Sequence, residues 1–403
     1  MGIAALLCLA IVLSASSAAR AWLPTKHPII RGVNLGGLFV VEPWMMNDRW
    51  ASMGCAGLND EWQCVKSLGQ KAADAAFKRH WSSWITKADI DEIVSYGLNT
   101  IRIPLGFWMK EDLVQSDEYF PRGGFKYLES VVRMAKKAGL YVILDLHAGP
   151  GGQFANQQFT GHSVSTPGFF TSANYERACQ FLEWIAKIKH TNPNFATVGT
   201  LEVMNEPRSV TDEQRASLRN EFYPNAYNRI RQVEDDLNIA QEKRLHIQMM
   251  ATSWGEGDPD LSWGGHSPYL ALYDDHKYLV WDTGVPATRR DYMYHSCYNN
   301  VGAGSNSNDK PLLVGEWSLG VRDGTNSEFN LTRSDAVEWY KGWFAAQLHD
   351  YEMQKGWVFW TWKIDQLDGQ NDFRWGYQRA VKAGVIPTNP AKAIAMNICD
   401  NYK

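Results

Sequence analysis

The chain has little that would tie it to a membrane, a nucleic acid or a redox cofactor. Its one long apolar run is Ile3 to Leu13, and nothing later approaches the roughly 18–20 residues of a membrane-crossing helix. Charge of one sign never accumulates: 40 Lys and Arg stand among 44 Asp and Glu, for a net −4. No polybasic face is expected, and with it no nucleic-acid partner. Cysteine is sparse, six in 403 residues, and no pair is spaced C-x-x-C. A cysteine-held zinc ion is therefore not expected. No G-x-G-x-x-G follows the first predicted strand, so the dinucleotide-binding reading has no support. Repeats, low-complexity stretches and linkers are also missing, and one domain is the simplest organisation.

The start of the chain reads as a secretory leader. The apolar run passes into small residues ending Ala19-Arg20-Ala21, an A-x-A cleavage pattern. Residues 1–21 are thus expected to be a signal peptide and residues 22–403 the mature chain. That chain is expected to be secreted, at the cell wall or beyond it, to leave the membrane after cleavage, and to be a monomer. Cys8 leaves with the leader. Of the five cysteines remaining, Cys55–Cys64 and Cys297–Cys399 are the expected pairs, the second tying the C-terminal tail to the body. Cys179 is the expected free thiol. Asn330-Leu331-Thr332 is a glycosylation sequon.

What the chain has in excess is aromatic: 18 Trp and 17 Tyr. Most such rings fill cores, but indoles in a cleft also suit the C–H faces of sugar rings. Apolar strands alternate with helical patterns along the whole length. The predicted strands are Arg31–Phe39, Asn99–Pro104, Tyr141–His147, Thr200–Asn205, Leu245–Ala251, Leu270–Tyr273 running into Asp274–Tyr278, Leu312–Glu316 and Gly356–Trp362. Predicted helices cover Lys71–Tyr96, Phe125–Ala138, Tyr175–His190, Glu221–Leu237 and Ser334–Glu352, and Glu42–Gln70 reads as loop. Eight strands in β/α alternation predict an α/β fold, a single (β/α)8 TIM barrel.

In such a barrel the strand ends converge on one mouth. The ends here carry Arg102, His147, Asn205-Glu206, His276 and Tyr278, Glu316, and Trp360/Trp362. Two carboxylates, Glu206 after one strand and Glu316 at the end of another, are the minimum for cleaving a glycosidic bond. Glu206 is the expected proton donor, because the leaving oxygen must be protonated as it departs. Glu316 is the expected nucleophile, held ionised by Arg102 and Tyr278. Asn205 is placed to bind the sugar 2-hydroxyl. His147 and His276 are expected to orient carboxylates and hydroxyls, and Trp362 to form the floor beneath the reacting sugar. Taken singly, each residue also has a structural explanation; their joint placement argues for chemistry. Asp145-Leu146-His147 is too thin a pattern to predict a metal, so no metal and no cofactor are expected.

Seven stretches in order, RGVNLGGLFVVEPW, NTIRIPLGFW, VILDLHAGPGGQ, LEVMNEP, DDHKY, LLVGEW and GWVFWTWK, resemble glycoside hydrolase family 5. Within it they resemble the fungal-type exo-β-1,3-glucanases (glucan 1,3-β-glucosidases). The resemblance runs from about Arg31 to Lys363 and implies a cofactor-free, retaining enzyme on a (β/α)8 barrel. It implies the same site residues, Glu206 and Glu316 with Arg102, His147, Asn205, His276, Tyr278 and Trp362. It adds Glu42 as a contact to the terminal sugar. The chain departs from the branch in two places. His276-Lys277-Tyr278-Leu279-Val280-Trp281 stands where the branch has His-His-Tyr-Gln-Val-Phe, so Trp281 takes the place of a clamping Phe. The loop after His147 also differs, and Phe154 or Phe159 is the candidate for the other clamp face. The resulting expectation is release of glucose from the non-reducing ends of β-1,3-glucans. The alternatives are a β-1,6-glucanase, an endo-β-glucanase, a transglycosylase, or a non-catalytic glucan-binding wall protein.

Overall fold

The structure, a computed structural model, describes residues 29–251, 259–264, 266–298, 311–322, 327–365 and 373–402. The expected leader lies outside these residues. Eight strands are β1 Ile30–Asn34, β2 Thr100–Gly106, β3 Tyr141–Ala148, β4 Val198–Glu202, β5 His246–Met250, β6 Ala271–Lys277, β7 Leu312–Trp317 and β8 Gly356–Phe359. They pair in chain order, all parallel, and β8 closes on β1. The expected (β/α)8 barrel is therefore formed. Each strand is buried on both faces, which is why the segments read as near-continuous apolar runs.

The helices form the outer ring: α1 Asn47–Ser52, α2 Glu61–Leu68, α3 Gln70–Ser83, α4 Lys87–Ser95, α5 Phe125–Ala138 and α6 Ser172–Thr191 in the first half. The second half has α7 Asp212–Ser217, α8 Tyr223–Asp236, α9 Arg289–Tyr298, α10 Ala336–Tyr351, α11 Tyr377–Lys382 and α12 Ala391–Ile394. In α5, Leu128, Val131, Val132 and Ala135 recur on one face and are buried. Gly139 then ends the helix at φ +75°, a left-handed position that glycine takes without penalty.

Strand β1 ends at Asn34, short of the expected Phe39, and β8 at Phe359, short of Trp362; two helical segments of the first half also differ from expectation. The segment 42–70 is not loop: it carries a 3-10 turn at Pro43–Met45 and two helices. Lys71–Tyr96 is not one helix but two, divided at Thr86. There Thr86 and Asp89 form a reciprocal capping box, which starts α4 afresh.

Disulfides join Cys55 to Cys64 and Cys297 to Cys399, as expected, and Cys179 is a buried free thiol. The second bridge fixes the tail to α9, beside a hydrogen bond from Tyr298 Oη to the Cys399 carbonyl at 2.6 Å.

The barrel interior is layered. On β3 the inward residues are Ile143, Asp145 and His147; on β6 they are Leu272, Asp274 and His276. The lowest layer is an apolar cluster of Ile30, Ile143, Leu272, Leu313 and Val358. Above it lie Asn34, Arg102, Asp145, Glu202, Gln248 and Asp274, all fully buried. The mouth forms the third layer.

Candidate active site

Two functional side chains at the mouth stand at strand irregularities. Between β2 and β3, Leu105 pairs with Leu146 and Gly106 with Ala148, so His147 is the extra residue of a bulge. Between β6 and β7, Asp275 pairs with Val314 and His276 with Glu316, so Gly315 is the extra residue. A bulge re-aims the side chains beyond it, and here it brings Glu316 level with His276. The backbone that Gly315 frees is taken up from the layer below. Its N–H donates to Asp274 Oδ1 at 2.7 Å, and its carbonyl accepts from Asn34 Nδ2 at 2.9 Å. Only glycine fits, because a Cβ there would lie 2.1 Å from Asp274 Oδ1. Glu206, beyond the end of β4, adopts φ +41°, a left-handed conformation uncommon outside glycine and frequent at functional sites.

Arg102 organises the carboxylates. Its guanidinium donates to Glu202 Oε2, Glu316 Oε1 and Asn205 Oδ1 at 2.8 Å each, and to Asn34 Oδ1 at 2.9 Å. Asp145 Oδ2 lies 3.0 Å away and Asp274 Oδ2 3.9 Å away. Burial works against this cation, but Asp145, Glu202, Glu316 and Asp274 outweigh it and hold it charged. Glu202 is raised well above the usual carboxylate range, chiefly by burial, with Arg102 opposing.

Glu316 is gripped at both oxygens. Arg102 donates to Oε1, and the Tyr278 hydroxyl donates to Oε2 at 2.8 Å. Burial raises the Glu316 carboxyl, and His276 and Arg102 pull it back. Tyr278 stays a neutral donor: burial and the Glu316 charge push its phenol far up. His276 Nδ1 lies 2.6 Å from Glu206 Oε1 and 3.6 Å from Glu316 Oε2, so it sits between the two carboxylates. Burial disfavours its cation, but Glu316 and Asp274 raise it well above the ordinary imidazole value. One carboxylate oxygen of Glu206, one of Glu316 and a His276 ring nitrogen all lie within 4.8 Å of one another.

Also at the mouth, His147 Nδ1 meets Asp145 Oδ2 at 2.7 Å, and its ring stacks on Trp360 at 5.5 Å and 7°. Gln153 fixes the loop beyond: its side-chain amide donates to the His147 carbonyl at 2.6 Å and the Asn205 carbonyl at 3.1 Å. Glu42 is buried and accepts from Trp44 Nε1 at 2.9 Å. Burial raises it to about 7, against the Trp44 hydrogen bond, and it senses the charges of His147, Glu316 and Glu206.

The structure thus brings together Glu42, Arg102, His147, Asn205, Glu206, His276, Tyr278 and Glu316. Trp362 is the exception. It is fully buried, donates from Nε1 to Asp89 Oδ1 on α4 at 3.0 Å, and packs on Tyr96. Strand β8 ends at Phe359, and Trp360, joined to Thr361 by a cis peptide, faces the mouth instead. The place expected for Trp362 is therefore held by Trp360.

A cavity of about 630 Å³ opens beside Glu206, with Phe154, Phe159 and Trp281 on its walls. Trp281 is 65% exposed. Phe159 meets His147 edge-on at 5.7 Å and Phe154 at 5.7 Å, so both phenylalanines line the one wall. Trp375 was not expected here. Its ring is 5.7 Å from Tyr278, 5.7 Å from Trp281 and 5.5 Å from Trp44, making a row Trp281–Trp375–Trp44 along the mouth.

A family model described as Cellulase (glycosyl hydrolase family 5) matches residues 65–366. The chain belongs to glycoside hydrolase family 5. As a family 5 chain it is a glycoside hydrolase, and the branch is where expectation and comparison part. Glucan endo-1,6-beta-glucosidase B of Emericella nidulans is 48% identical over 373 residues, covering 92% of this chain and 88% of the relative. "Probable glucan 1,3-beta-glucosidase A" of Aspergillus niger is 28% identical, covering 91% and 89%. The crystal structure of rutinosidase from Aspergillus niger superposes with a TM-score of 0.68 at 20% identity, over 90% of this chain and 99% of that one, a likeness of fold.

Proposed function

We propose that the protein is a retaining β-glucan hydrolase that cleaves β-1,6 linkages within the chain. The observation that carries the mechanism is the close approach of Glu206, His276 and Glu316, with polar atoms within 4.8 Å of one another. Retaining glycosidases keep their carboxyl groups about 5–5.5 Å apart, and inverting ones leave about 6.5–9.5 Å for a water. In the first step a Glu316 oxygen attacks the anomeric carbon. The glycosidic C–O bond breaks, and the departing oxygen takes a proton from Glu206. The short Glu206–His276 hydrogen bond orients that carboxyl. In the second step water attacks the same carbon, gives a proton to Glu206, and displaces the Glu316 carboxylate. Arg102 and Tyr278 hold that carboxylate throughout. Asn205 and Glu42 contact sugar hydroxyls, and Trp360 is the floor beneath the ring.

The relatives support the linkage. The 48%-identical relative is named an endo-1,6-β-glucosidase, and the one named a 1,3-β-glucosidase is far more distant. The two departures from the exo-1,3 pattern, Trp281 and the loop after His147, agree with this. The expected release of glucose from β-1,3-glucan ends therefore gives way to internal β-1,6 cleavage. The enzyme acts as a secreted monomer without a cofactor.

The test is a time course on linear β-1,6-glucan and on laminarin, with the anomer followed by proton NMR. Mixed β-1,6 oligosaccharides from the earliest points, in the β-anomer, are the expected result. Glucose alone from laminarin would restore the exo-1,3 reading. First-formed α-anomer would exclude retention. Glu316→Gln is expected to lower kcat by at least about a thousandfold.

A further inference from the structure

A second cavity, of about 460 Å³, lies against the mouth on the far side of Trp44. It falls within the range of about 300–1,000 Å³ typical of small-ligand sites. Its walls combine the half-buried indole of Trp44 with three carboxamides, Asn47, Asn59 and Gln158, while Trp50 backs the cavity from the core. A flat apolar ring beside groups that both donate and accept hydrogen bonds is the chemistry that recognises a neutral sugar. The carboxamides are uncommitted: none has a side-chain hydrogen bond among the described residues. Gln158 Oε1 is fully buried without a partner, an acceptor that costs free energy unless something donates to it.

The site is built on fixed backbone. Trp50 Nε1 donates to the Leu58 carbonyl at 2.8 Å, and the Cys55–Cys64 bridge closes the loop that carries Leu58 and Asn59. Trp44 is anchored by Glu42.

Position sets its place in the reaction. The cavity beside Glu206 is on the leaving-group side, because Glu206 must reach the departing oxygen. Glu42, Trp44, His147 and Trp360 do not line it, and the retained sugar sits among them, with Trp44 on the wall of the second cavity. The second cavity opens beyond Trp44, and the row Trp281–Trp375–Trp44 runs from one cavity to the other. We propose that this second cavity binds glucosyl units on the non-reducing side of the cleaved bond, and that it makes internal cleavage possible. The proposal rests on the β-1,6-glucanase reading above, since a glucose-releasing enzyme has no use for such a site.

The test uses the full chain and reducing-end-labelled β-1,6-linked gluco-oligosaccharides of graded length. The Asn59→Ala/Gln158→Ala double variant is compared with the wild type by kcat/KM and by which bond is cut. Loss of these hydrogen bonds is expected to lower the long-to-short ratio of kcat/KM about tenfold. The cut should also move toward the non-reducing end. An unchanged ratio and cut site would overturn the proposal, and so would an equal loss at every length. If the wild type cuts no β-1,6 oligosaccharide at all, the underlying reading fails before the variant is needed.

Discussion

Glu42 carries a proton into neutral pH that an unfolded carboxyl would have lost. Its ordinary value is 4.5 and burial raises it to about 7. The folded chain therefore binds this proton more tightly than the unfolded one. Its contribution to stability is full below about 4.5, declines as pH rises through about 7, and is then constant. Glu42→Gln, which cannot ionise, is expected to lose less stability over that window than the wild type, by on the order of 2–3 kcal/mol. Urea melts at pH 4.5 and pH 8 on both proteins would show it; parallel losses would mean that Glu42 does not titrate there. At this scale the site was largely legible, because charged and amide residues at the ends of apolar strands have few structural reasons to be there. Trp360 and Trp362 could not be separated by alternation, since both positions share a face of an extended chain. The strand stops at Phe359, and the turn after it sends only Trp360 to the mouth. Trp375 carried no signal, for it follows no predicted strand. The buried layer of Asp145, Glu202 and Asp274 was visible as charge inside apolar runs, but such a pattern does not say which cation the charges surround.

Among the elements, the bulges at His147 and Gly315 decide where the chemistry points. Gly315→Ala is expected to push a methyl group into Asp274 and to break the hydrogen bond from the Gly315 N–H. A stability loss of about 1–3 kcal/mol is expected from the overpacking. Activity should fall further than stability explains, because Glu316 loses its aim. Denaturant melts and kcat on the same preparation separate the two effects, and a stable variant with wild-type kcat would mean the bulge is dispensable. An isolated glycine inside a strand is itself a bulge signal, so this feature could have been read. Helix division at Thr86 was equally visible, as Thr-x-x-Asp before an apolar pattern. The helices of 42–70 were hidden by their shortness, since α1 and α2 span too few turns to show a period.

For the molecule as a whole, closure is the main constraint. Parallel pairing joins β8 to β1, and Arg31 of β1 donates two hydrogen bonds of 2.7 Å to Glu352 just after α10. The Cys297–Cys399 bridge spans 102 residues and fastens the last turn to α9. Cys399→Ser is expected to cost about 2–4 kcal/mol in unfolding free energy. Equilibrium melts check this, and a variant as stable as the wild type would show that α12 and the tail hold without the bridge. The strand count and alternation announced the barrel because each β/α unit repeats one pattern. Substrate linkage was not legible in the same way, since it depends on loops whose lengths follow no period. The indole row offers a last consequence, in optical terms. Neighbouring rings at 5.5 and 5.7 Å, crossed at 76° and 39°, are near enough for their excited states to mix. Such coupling gives a signed pair of bands in circular dichroism. A glucan laid along the row would perturb that pair, so occupancy of the cleft could be followed by light alone, without a label and without turnover.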